Sequence, residues 1–159
     1  ITRRLHEEHT ATLTQWSRLE QLLTARGTQW PPAEGDEIAS RLRECAAMLT
    51  QEVSLHFAFE EAQLFPRLEA SGEGDIAQLL AEEHGVIREA AEQFGALQAR
   101  GARGELDDAG WRTLKIVALE LVERLVSHVQ KEEMSLLPAL EDLIDEETDR
   151  ELITEYSMN

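Results

Sequence analysis

The chain has 159 residues, enough for one domain over 1–159 with a core of its own, and carries a net charge of −17 from 32 acidic and 15 basic residues. With no basic patch to neutralise phosphates, neither nucleic acid nor an anionic membrane surface is an expected partner. Cys45 is the only cysteine, which excludes an internal disulfide, a cysteine-based zinc site and an iron–sulfur cluster. No apolar run approaches membrane-spanning length and no signal-peptide pattern opens the chain, so the expected location is cytoplasmic.

Leu, Ala, Glu, Gln and Arg dominate while β-branched and aromatic residues are few, a balance that favours helix. A first helix is predicted from about Thr2 to Arg26, with Leu5, His9, Leu13, Trp16, Leu19 and Leu23 on one stripe. Gly27 ends it, and residues 28–36, rich in Pro and Gly, form a loop. A long second helix follows from about Glu37 to Ala70. Its stripe of Leu42, Cys45, Leu49 and Val53 continues into His56, Glu60 and Leu64. After a turn at 71–75, with Asp75 as the expected N-cap, a third helix runs from about Ile76 to Arg100 and buries Leu80, His84, Ile87 and Phe94. Asp107 or Asp108 caps a fourth helix to about Leu140, and its stripe ends in Leu125, His128, Glu132 and Leu136. A short last helix, roughly Glu141 to Tyr156, would lie on the end of the bundle. The expected fold is all-α, an up-down-up-down four-helix bundle with a short C-terminal helix.

One stretch occurs twice. His56-Phe-Ala-Phe-Glu60-Glu61-Ala-Gln-Leu-Phe-Pro66 is matched by His128-Val-Gln-Lys-Glu132-Glu133-Met-Ser-Leu-Leu-Pro138. Four residues is just over one helical turn, so each His and its Glu project from one face. Both continue an apolar core stripe, a costly place for polar groups without a partner. Pro66 and Pro138 are expected to kink or end their helices, because proline lacks the amide hydrogen. Glu61 and Glu133, turned about 100° from the ligand carboxylates, read as solvated charge, with the orienting of a ligand His as the lesser alternative.

Counted from the turn near Gly72, Glu60 and His84 are equally distant and meet at one depth of an antiparallel pair. His9 and His128 fall within about 12 Å of the same level before tilt is allowed for. Candidate metal ligands are therefore His9, His56, Glu60, His84, His128 and Glu132. Four imidazoles and two carboxylates suit iron, manganese or zinc; a bundle of hydrogen-bonded core histidines without metal is the alternative. His6 lies to the side of the first stripe and reads as surface, or as a group touching a ligand. The ferritin-like pattern needs Glu three residues before a His, and no His here has one.

The order His9, His56-x-x-x-Glu60, His84, His128-x-x-x-Glu132, with the Glu-Glu-x-x-Leu-Phe-Pro and Glu-Glu-x-x-Leu-Leu-Pro tails, resembles the cation-binding HHE domain of the hemerythrin family over about Thr2 to Leu140. The resemblance implies two iron ions bridged by the Glu residues and capped by the His residues. It further implies handling of O2, nitric oxide or peroxide in an apolar pocket, or alternatively an iron- or redox-responsive module or iron supply. Oxygen-carrying hemerythrins have a second His on the third helix, where this chain has Leu80 and Arg88 four residues from His84, and an Asp where it has Glu132. The ligand set is closer to that of bacterial HHE-type proteins, including those linked to di-iron repair under nitrosative stress.

Overall fold

A computed structural model describes residues 1–158. Among them the chain forms five helical rods and no strand. The first is Thr2–Thr24, the second spans 37–71, the third is Gly74–Ala102, the fourth spans 108–143, and the fifth is Glu146–Met158. The first packs on the second and fourth, and the third likewise on the second and fourth, giving a helical bundle. None is long and apolar enough to cross a membrane.

The turns follow local chemistry, and they move some expected boundaries. Gly72, at φ 99°, closes the second rod in the left-handed region open to glycine, and the amide of Glu73 donates to the carbonyl of Leu68 at 2.9 Å. The third helix begins at Gly74, so Asp75 is no cap but an acid in the first turn, favourable there to the helix dipole. That helix runs through Gly101, where a Cβ would stand 2.9 Å from the Trp111 ring. Asp107 caps the fourth, its Oδ1 accepting from the amide of Gly110 at 2.8 Å. The last helix starts five residues later than expected, because Asp145 accepts from the amide of Thr148 at 2.8 Å and sets the break there.

Of the two outcomes expected at the prolines of the second and fourth helices, a kink or an end, the end is corrected. Both helices continue through Pro66 and Pro138 for a further full turn. A π-helical turn comes just before each, at Glu60–Leu64 and Glu132–Leu136, and a third lies at Glu52–His56. In the wider turn the amide of Phe65 reaches back five residues to Glu60. The carbonyl a proline ring would strike is thereby moved out of line, which is how an interior proline is accommodated.

Two apolar clusters sandwich the ligand level. One, including Trp16, Leu49, Ile87, Phe94, Leu121 and Leu125, fills the bundle below it. The other, including Leu5, Leu64, Leu68, Leu80, Leu136 and Leu152, closes the far end with help from the fifth helix. Cys45 belongs to the first cluster, as expected, and burial pushes its thiol up to about 12. Trp16 is fully buried and packs on Phe94 at 5.4 Å between ring centroids. Trp16→Ala should therefore cost about 3–5 kcal/mol in urea unfolding of the metal-free protein; a loss under about 1 kcal/mol would contradict this placement.

Candidate metal centre

All six expected ligands converge between those clusters, each no more than 2 % exposed. They fall into two groups of four: His9, His56, Glu60 and Glu132, and Glu60, His84, His128 and Glu132. In each group the ligand atoms lie within 4.8 Å of one another, and both carboxylates belong to both groups. The i,i+4 pairs meet as the helical spacing requires, His56 Nε2 at 3.1 Å from Glu60 Oε1 and His128 Nε2 at 2.7 Å from Glu132 Oε1. Across the bundle, His9 Nε2 is 2.9 Å from Glu132 Oε2 and His84 Nε2 is 3.3 Å from Glu60 Oε2.

The opposite edge of every imidazole touches a second carboxylate. His9 Nδ1 is 2.6 Å from Glu133, His56 Nδ1 3.0 Å from Glu8, His84 Nδ1 2.8 Å from Glu61 and His128 Nδ1 3.0 Å from Glu83. The pattern is itself duplicated. The second Glu of each repeated motif orients the lone His of a neighbouring helix. The Glu just before each lone His orients the His of a motif. Each outer carboxylate also has a further partner: His6 for Glu133, Arg4 and Tyr156 for Glu8, Arg88 in a two-bonded pair for Glu61, and Lys131 for Glu83. Of the two readings of Glu61 and Glu133, solvated charge is corrected and the lesser one, orienting a ligand His, is what the contacts show. Both lie in π turns, whose smaller rotation per residue undercuts the 100° on which the solvated reading rested. His6 is largely exposed and touches only this outer layer, as its offset from the stripe implied.

Electrostatics follow from the geometry. Burial would raise all four outer carboxyls, but Arg88 and His84 outweigh it at Glu61, Lys131 and His128 at Glu83, His9 and His6 at Glu133, and His56 and Tyr156 at Glu8, so all four are held below the usual range. An ionised carboxylate can only accept, so the Nδ1 facing it carries the hydrogen, and in the neutral ring the Nε2 lone pair points inward. Burial opposes charge on His84 and on His56. The inner carboxylates overcome it, placing His84 at about 9 and His56 well above 6.5. Glu132 is held well below 4.5: desolvation is outweighed by His128, His84 and His9.

At the centre His84 Nε2 and His128 Nε2 lie within hydrogen-bond distance at 3.1 Å, but the other close approaches are not hydrogen bonds. His9 Nε2, His56 Nε2 and all four oxygens of Glu60 and Glu132 are buried without a hydrogen-bond partner, a state costing roughly 1–3 kcal/mol for each group. Converging lone pairs of nitrogen and oxygen are what a divalent cation needs. The residues fit a metal pair.

Other neighbours escaped the sequence reading. Glu52 is buried, its Oε2 accepting from Thr12 Oγ1 at 3.1 Å and its Oε1 4.0 Å from His56 Nδ1; burial, partly offset by His56, keeps its carboxyl raised. The signal available was its place at i, i+4, i+8 with His56 and Glu60. Phe57, buried in the core, stacks on His84 at 3.8 Å with Phe65 on that ring at 5.4 Å, so it also fixes that imidazole.

Stability should depend on pH with a definite sign when metal is withheld. His84 is raised from 6.5 to about 9, so its contribution is complete below about pH 6.5 and lost as pH rises through about 9. Glu132 is depressed, so its contribution is present above about pH 4.5 and lost as pH falls toward its lowered value. Urea unfolding of chelator-treated protein should show stability falling between about pH 6.5 and 9; stability rising over that interval would contradict the geometry.

Comparison with known proteins agrees with the site. The family model described as the hemerythrin HHE cation-binding domain matches residues 1–140. No curated protein and no solved structure matched the chain. A match over that span, on a helical bundle with duplicated His/Glu groups at its centre, makes the chain a member of the hemerythrin HHE cation-binding family.

Proposed function

We propose that the chain is a single non-haem di-iron binding domain whose four long helices run up-down-up-down. His9 and His56 would hold one ion and His84 and His128 the other, with Glu60 and Glu132 shared between them. The observation that carries this reading is that both carboxylates belong to both ligand groups. The imidazole and carboxylate donors accept iron, manganese or zinc, and iron is preferred because the family binds cations, usually iron.

Iron bound there would supply redox electrons and a coordination position for a small ligand, O2, nitric oxide or peroxide. The chain's own residues do the rest. Glu8, Glu61, Glu83 and Glu133 hold the imidazoles in the ligating tautomer and fix their rings. Leu49, Ile87, Leu121 and Leu125 exclude water from the side of the first cluster. Leu80 is buried and Arg88 is engaged by Glu61, so the third helix offers only His84, which argues against reversible oxygen carriage. A lone buried cysteine accords with a cytoplasmic setting.

The unpartnered central atoms also favour a second reading, an iron- or redox-responsive regulatory module in which metal occupancy stabilises the fold. Rapid peroxide turnover would support the first reading; a large metal-linked rise in melting temperature without turnover would support the second.

After anaerobic loading with ferrous iron, the wild type should hold about two ions per chain. Glu60→Ala and Glu132→Ala should each lose both ions, whereas His56→Ala and His128→Ala should each keep about one. Iron content unchanged by the Glu substitutions would overturn the bridging assignment.

A further inference from the structure

The four imidazole–carboxylate pairs are alike in form but not in origin. Those of His9, His84 and His128 are built from residues of the first four helices, and their outer partners are His6, Arg88 and Lys131. The pair at His56 has an additional member from the fifth helix, beyond residues 1–140. The Tyr156 hydroxyl donates to Glu8 Oε2, the same oxygen that lies 3.0 Å from His56 Nδ1, and its own distance to that nitrogen is 3.5 Å.

The placement of Tyr156 is fixed by packing. Leu152, one turn earlier, is buried among Leu64, Phe65 and Leu136. The Tyr156 ring lies on Phe59 at 4.7 Å and faces the His56 ring edge-on at 6.5 Å. It stands beside a cavity of about 330 Å³ that is also lined by Glu8, Thr12, Glu52 and His56. Among the described residues, no ring from the fifth helix contacts His84 or His128, which are covered instead by Phe57.

We infer that Tyr156 is a positioning residue for the His9–His56 half of the centre, coupling the C-terminal helix to one metal position and making the two positions inequivalent. This rests on the two-metal reading above. A phenol donating to Glu8 fixes the oxygen that receives the Nδ1 hydrogen and, through it, the angle at which His56 Nε2 meets a cation. Coupling of this kind is reciprocal: an ion held by His56 tightens the helix, and a docked helix tightens the ion.

The test is ferrous iron release to an excess of chelator from anaerobically loaded protein. Tyr156→Phe keeps the ring packing and removes the hydroxyl. It should speed release of one ion about tenfold and leave the other unchanged, the low end of what loss of an orienting partner does to affinity. Introduced into His128→Ala, which keeps the His9–His56 position, the same change should speed release; introduced into His56→Ala, it should not. Identical release from wild type and Tyr156→Phe, or equal acceleration of both ions, overturns the inference. So does acceleration by Leu152→Ala with none by Tyr156→Phe, which would reduce Tyr156 to packing. A wild type that fails to load two ions is a different result, and overturns the two-metal reading itself.

Discussion

Six lone-pair-bearing ligands buried at one level of an apolar bundle cannot satisfy one another. That constraint governs the rest of the structure. Glu60 and Glu132 would repel across the core if ionised and leave their oxygens without donors. Either protons or cations must sit among them, and the raised His56 and His84 with the depressed Glu132 show the side chains arranged for positive charge. By holding the hydrogen on each Nδ1 the outer carboxylates turn each neutral ring's remaining lone pair inward, where a cation can meet it.

The backbone carries the same bias. All three π turns occur at the level of the His/Glu groups, and two of them begin at Glu60 and Glu132. A π turn forfeits some helical regularity and persists where a side-chain direction is needed that an α-helix does not give. Here it lets adjacent residues, Glu60 with Glu61 and Glu132 with Glu133, serve different rings. Pro66 and Pro138 follow at the same offset in both copies, so the interruption is written into the duplication.

The helices and the inner site were legible because both depend on periodicity. The stripes of the second and fourth helices lead through leucines into His and Glu, and a polar residue on such a line needs a partner. The outer site was less legible because a fixed 100° per residue misplaces side chains once the helix widens; Glu61 and Glu133 read mainly as solvated charge for that reason. Glu8 and Glu83 sit beside ligand histidines on mostly exposed helix faces. Only the bundle's cross-helix geometry reveals which ring each one reaches. Tyr156 was hidden further, since its partners lie about a hundred residues or more away in the chain and no spacing rule connects them.

A bridged pair differs from two separate ions in one property that no single-site alternative reproduces. Two ferric ions sharing carboxylates couple magnetically, so the fully loaded, oxidised protein should give almost no ferric signal in electron paramagnetic resonance despite its full iron content. A ferric signal accounting for all the iron would mean isolated ions, and would contradict a centre bridged by Glu60 and Glu132.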